Sequence, residues 1–200
     1  MTTLFLIRHG QTAWNLEGKY TGQSDIPLNE TGRIQAARLV YEISQKSIDS
    51  IFASDLDRAI ETAKIALREC TDRFGVVIPI QTDARLREIN QGVWEGMHFD
   101  EIKRRFGTEF AAREADPLKV SAPGGETVGE VQDRVLSAVH DICQDNVNGR
   151  VAIVGHGLAL AIIRGWLLES PIKDVWSLIP PNAEIIEVDV PAESLAKQVR

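Results

Sequence analysis

The chain has 200 residues, 44% hydrophobic and 26% charged, which excludes a disordered tail, a collagen-like chain or a coiled coil. Lys plus Arg number 22 against 29 Asp plus Glu, a net charge of −7 with no basic run. We therefore expect no nucleic acid and no anionic membrane surface as partner, while a local cluster of cations still suffices for a small anion.

Thr3–Arg8, apolar and bounded by Gly10, predicts a first strand. Residues 30–45 predict a helix capped by Asn29, with Ile34, Ala37, Val40, Tyr41 and Ser44 recurring at helical spacing. Ser50–Ala53 predicts a second strand, and 56–70 a helix carrying Ile60, Ala63 and Leu67, with Asp55 as its cap. Val76–Gln81 predicts a third strand. Residues 92–125 are charged and turn-rich and end in Ser121-Ala122-Pro123-Gly124-Gly125, so we read them as an excursion above the sheet within a single domain spanning 1–200. A helix over 127–145 places Val128, Val131, Val135, Ala138, Val139 and Ile142 on one side. Arg150–Val154 predicts a fourth strand, Leu158–Leu168 a helix after Gly157, and Glu184–Val190 a fifth strand. Strands alternating with helices predict an α/β fold with a mostly parallel sheet covered on both faces. No apolar run is long enough to span a bilayer, and no signal peptide is expected. Cys70 and Cys143 admit a disulfide or two thiols, and we expect thiols in a reducing cytoplasm.

One context occurs twice. Leu4–Ile7 runs into Arg8-His9-Gly10, and Val151–Val154 runs into Gly155-His156-Gly157. Each histidine thus falls at the carboxyl end of a predicted parallel strand, the edge where open α/β sheets bind ligands. A lone histidine there can simply cap its strand, but two such histidines, one beside an arginine, point to a site. Arg58 falls in the first turn of the helix after the second strand, where the helix dipole disfavours a cation. Free amides and a guanidinium fork suit a phosphate, and the competing reading is a surface pair with Asp55 or Glu61. Glu88 lies in Arg87-Glu88-Ile89-Asn90-Gln91-Gly92-Val93-Trp94, a loop able to reach the same edge. A carboxyl beside a phosphate dianion holds its proton more tightly and suits a proton donor, the competing reading being a pair with Arg85 or Arg87. Trp94 reads as a core or wall residue. A metal hydrolase using His9, His156 and Glu88 is a further alternative, sensitive to chelators, and a binding module without activity is another.

These blocks resemble the histidine phosphatase superfamily, the phosphoglycerate-mutase-like proteins. The resemblance rests on Arg8-His9-Gly10-Gln11-Thr12 with Asn15, on Thr21-Gly22 and Asp25-x-Pro27-Leu28, and on Ser54-x-x-x-Arg58-Ala59-x-x-Thr62-Ala63. It continues through Leu86-x-Glu88, Gly92-x-Trp94-Glu95-Gly96, Pro123-Gly124-Gly125-Glu126 and Gly155-His156-Gly157, in family order over most of the chain. The resemblance implies a three-layer α/β/α sandwich with His9 as nucleophile and with Arg8, Arg58 and a protonated His156 as phosphate ligands. It further implies Glu88 as acid then base, Asn15, Thr21, Gly22 and Gly157 as substrate-binding positions, and neither metal nor cofactor. The implied activity is metal-independent hydrolysis of a small phosphorylated metabolite through a phosphohistidine, in the branch of α-ribazole-phosphate and broad-specificity phosphatases. The alternative is a bisphosphoglycerate-dependent phosphoglycerate mutase. We favour the phosphatase because the excursion balances Asp100, Glu101, Glu109, Glu114 and Asp116 against Lys103, Arg104, Arg105 and Arg113, and because the chain is short, with no room after Arg200 for a mutase-type tail. A homodimer is compatible with this reading.

Overall fold

The computed structural model describes residues 1–71 and 75–196. Five strands, β1 (Thr2–Arg8), β2 (Ser50–Ala53), β3 (Ile80–Thr82), β4 (Arg150–Gly155) and β5 (Ile185–Val190), form one sheet in the order β3-β2-β4-β1-β5. All neighbours are parallel except β5, which runs antiparallel to β1. The central strands are apolar on both sides because both sheet faces are covered. From β1 and β4, Leu4, Leu6, Val151 and Ile153 pack under helices α6 (Val128–Asp145) and α7 (Gly157–Leu167). Phe5, Ile7, Ala152 and Val154 point the other way, to α2 (Glu30–Ser44) and α3 (Asp57–Ala66). The result is the expected three-layer sandwich. Cys70 and Cys143 are free and buried in opposite layers, and burial raises both thiols, Cys143 to about 11.

Every apolar residue expected to face inward on α6 is buried. On α2 the inward face is instead Gly32, Ala36, Leu39 and Ile43, while Ile34 and Tyr41 point to solvent. Two apolar stripes lie on that helix, and the sheet selects the one with the smaller side chains at its start. A Cβ on Gly10 would strike the backbone of Gly32, so this helix entry packs directly on the loop after β1. The helix expected over 56–70 ends at Ala66, and Asp55 does not cap it. Leu56 occupies that position, and the Asp57 amide donates to Asp25 Oδ1 at 2.9 Å. The strand expected at Val76–Gln81 begins only at Ile80, since Pro79 lacks an N–H and Val77 pairs in an isolated bridge with Thr71.

The excursion holds a 3₁₀ turn (Gly92–Trp94), α4 (Phe99–Arg105) and α5 (Gly107–Ala115). Its own apolar cluster joins Trp94, Ile102, Phe110 and Ala122, so Trp94 is indeed a core residue there. A short helix absent from the sequence reading, α1 (Ala13–Glu17), follows β1 and is closed by a capping box between Thr12 and Asn15. A last helix, α8, spans Ala192–Ala196.

Candidate active site

The parallel register places Arg8 of β1 opposite Gly155 of β4, so the next residues, His9 and His156, emerge side by side. Their ring centroids are 5.1 Å apart. His9 donates its backbone N–H to Gly155 O at 3.0 Å, and its Nδ1 lies 2.7 Å from Gly10 O. A carbonyl partner makes Nδ1 the protonated nitrogen and leaves the lone pair on Nε2. Gly10 N donates to Thr62 Oγ1, and Thr62 Oγ1 donates to Arg58 O, so β1's end is tied to α3.

Arg58 is fully buried. It donates from Nη1 to Ser24 O and from Nη2 to Gly22 O, each at 2.7 Å, and neither Asp55 nor Glu61 pairs with it. Asp55 instead takes a bidentate pair from Arg87, and Glu61 binds Arg33. Arg58 thereby also shapes the Thr21–Ser24 loop. Within it Gly22 adopts φ +56°, with the Glu95 carboxylate where a Cβ would project. Glu95 accepts from the amides of Gln23, Ser24 and Gln91 and from the Ser24 hydroxyl, clamping this loop to the excursion.

Glu88 pairs with neither Arg85, which binds Asp83 and Asp141, nor Arg87. Its Oε1 accepts from Ile89 N at 2.9 Å and its Oε2 from Leu158 N at 3.1 Å, at the start of α7. The loop beneath it is held by Arg134 of α6. That guanidinium donates to the carbonyls of Arg85, Arg87 and Glu88 and to both oxygens of Glu126. Gln23 donates to Glu88 O as well.

A cleft of about 170 Å³ collects Arg8, His9, Asn15, Thr21, Gly22, Arg58, Glu88 and Gly157, together with Lys19, Ile89, Gln91, Leu158, Trp176 and Ile179. His156 lies fully buried behind it. The structure therefore brings together every residue singled out from the sequence, and Lys19, Gln91 and Trp176 are additions. Nothing in their local patterns marked them, because a loop, a turn and a remote 3₁₀ segment (Ile172–Leu178) converge here only in the fold.

The site is electropositive and short of acceptors. Arg8 Nε, Arg58 Nε, Thr21 Oγ1 and both ring nitrogens of His156 are buried without a hydrogen-bond partner in the protein. Burial depresses the proton affinity of both arginines, with Glu88 opposing. Burial, then Arg58 and other neighbouring cations, holds His9 and His156 well below the ordinary imidazole range. In the free protein this favours the neutral ring, since a third cation beside two buried arginines is disfavoured. An oxyanion would supply the acceptors and reverse that balance. Among the described residues no group of three His, Cys, Asp or Glu side chains is arranged to hold a metal ion, and no helix is long and apolar enough to cross a membrane.

Fold and cleft together define a class: an α/β/α sandwich presenting two histidines and two arginines at the carboxyl edge of its parallel strands. The profile of the histidine phosphatase superfamily (branch 1) matches residues 4–198, and the chain belongs to that family of phosphatase-type enzymes. Phosphoserine phosphatase 1 of Hydrogenobacter thermophilus is 30% identical over 183 residues, 92% of this chain and 84% of that protein. "Probable phosphoglycerate mutase GpmB" of Escherichia coli K12 is 34% identical over 190 residues, 94% of this chain and 85% of that protein. Among solved structures, the alpha-ribazole phosphatase of Shigella flexneri is similar with a TM-score of 0.84 at 26% identity, covering 96% of this chain and 92% of that one.

Proposed function

We propose that the protein hydrolyses small phosphomonoesters through a phosphohistidine on His9. The carrying observation is the Nδ1–Gly10 O bond, which leaves Nε2 of a buried, neutral imidazole as the nucleophile in a cleft walled by two arginines. Nε2 attacks phosphorus, forming an N–P bond as the ester O–P bond breaks. Arg8 and Arg58 stabilise charge on the equatorial oxygens, and His156, whose buried ring nitrogens have no partner in the protein, donates an N–H to them. Glu88 delivers a proton to the departing alkoxide. The resulting carboxylate, held by the Ile89 and Leu158 amides, then takes a proton from water as that water displaces His9 and the N–P bond breaks. Asn15, Thr21, Gly22 and Gly157 border the phosphoryl site.

The phosphoglycerate mutase reading has the Escherichia coli relative in its favour. A mutase must hold a second anionic group while excluding water. Here Lys103 lies over the Phe99 and Phe110 rings, Arg105 pairs with Glu101, and Arg113 binds Gln91. With those cations engaged inside the excursion, hydrolysis is the favoured outcome. We read residues 92–125 as the cover of the site within one domain, and the cytoplasm as its compartment, which the two free thiols support. The test is a rapid quench with phosphorus-labelled ester. An acid-labile, base-stable label on the native protein, absent from His9→Ala along with turnover, is expected. Persistent labelling of His9→Ala refutes the assignment.

A further inference from the structure

Beside the catalytic cleft lies a second cavity of about 190 Å³, lined by Tyr20, Phe99, Phe110, Arg113, Glu114 and Trp176. The two adjoin: Trp176 borders both, and Arg113 donates from Nη1 at 2.6 Å to Oε1 of Gln91, a wall residue of the cleft. Aromatic rings form most of the second cavity. Phe99 and Phe110 meet edge to face with centroids 5.3 Å apart, yet Phe99 and Trp176 each keep 42% of their surface exposed at the mouth. Exposed aromatics gathered around one cavity, rather than scattered, mark a binding surface.

Lys103 stands over the Phe99 and Phe110 rings, while among the described lining residues Arg113 is the one cation, and it is largely committed. Its guanidinium lies 5.2 Å from the Trp94 ring and 5.6 Å from the Trp176 ring, buried between them, with Gln91 taking one of its donors. The stack gives Trp176 a fixed place as a wall. Glu114 adds negative charge to the same lining and repels a carboxylate-bearing guest.

We propose, building on the hydrolase reading above, that this cavity is the leaving-group subsite. It selects phosphomonoesters of aromatic or similarly flat, apolar alcohols over small polyanions such as phosphoglycerates. With the phosphoryl group between Arg8 and Arg58, the alcohol extends past Glu88 and Gln91, which border the cleft, to the Trp176 wall that the two cavities share. Stacking then adds affinity where only the correct substrate has a ring to offer.

Two measurements test this. The first is kcat/KM for 1-naphthyl phosphate and for glycerol 3-phosphate on the native protein, Phe99→Ala, Trp176→Ala and Trp176→Phe. We expect the naphthyl ester to lead by about tenfold or more, that ratio to fall about tenfold in either alanine variant, and Trp176→Phe to retain most of it. The second is calorimetric binding of the same two esters to His9→Ala, which reads the subsite without turnover. Tighter binding of the naphthyl ester, lost in His9→Ala/Trp176→Ala, is expected. Equal binding of both esters, or a ratio indifferent to Phe99 and Trp176, overturns the subsite even if hydrolysis proceeds through His9. Absence of hydrolysis by the native protein with the binding preference intact refutes the hydrolase reading and leaves the subsite standing.

Discussion

Glu88 is the residue whose role its neighbours least disguise. Arg85 and Arg87, just ahead of it in sequence, are engaged elsewhere, and among the described residues its carboxylate is fixed by two backbone amides facing the cleft. As the proton donor it matters in proportion to the basicity of the leaving group. Glu88→Gln should slow alkyl phosphates by about 10²–10⁴-fold and p-nitrophenyl phosphate far less. Equal losses on the two substrates would make Glu88 structural. The histidines carry a different signature. Their folded proton affinities are depressed below the ordinary value of 6.5, so on acidification the unfolded chain binds protons first. Their contribution to stability is whole above pH 6.5 and is lost progressively as the pH falls below it. Urea midpoints between pH 7.5 and 5 should therefore fall less steeply for His156→Gln than for the native protein. Parallel slopes would show that the ring is not held neutral.

At the scale of elements, the loop bearing Glu88 has no regular structure beyond its first turn, and α6 supplies the order it lacks. Arg134 gathers three loop carbonyls and the Glu126 carboxylate with one planar fork. Lysine keeps the charge but not the fork. Arg134→Lys should therefore lower kcat on alkyl phosphates by up to about 10²-fold with little change in KM, sparing p-nitrophenyl phosphate, the Glu88→Gln pattern in weaker form. Uniform loss on both esters, or a rise in KM alone, would deny Arg134 this positioning role. The start of α6 offers a contrast, since neither Thr127 nor Glu130 of its capping box lines the cleft. Thr127→Ala should cost about 1 kcal/mol in urea unfolding and leave the ester selectivity as it is. Legibility differs between elements for the same kind of reason. The Asn29 cap acts within three residues along the chain and reads directly from local pattern. The start of α3 is completed by Asp25 from a distant loop, so Asp55 was a sound local candidate that tertiary pairing with Arg87 drew away.

For the molecule as a whole the open choice is between releasing phosphate and returning it to substrate. Lys103, Arg105 and Arg113 of the excursion are engaged by its rings, by Glu101 and by Gln91, so water should compete well for the phosphoenzyme. Phosphate release should exceed 3- to 2-phosphoglycerate interconversion at least tenfold with bisphosphoglycerate supplied, a margin of roughly 1.4 kcal/mol in barrier. Faster interconversion would install the mutase in its place. The layered fold and most of the cleft were legible from residue order. Apolar runs and helical patterns report burial locally, and Arg8-His9, Arg58 and Gly155-His156-Gly157 each follow a strand that can be recognised from its own residues. The positions of Lys19, Gln91, Arg113 and Trp176 were not legible. Their surroundings come from segments far apart in the chain, and only the packing of the excursion against the 3₁₀ segment at Ile172–Leu178 makes walls of them. The charge of His156 belongs with them: a histidine takes its protonation state from what surrounds it, and burial beside two arginines is a property of the folded site alone.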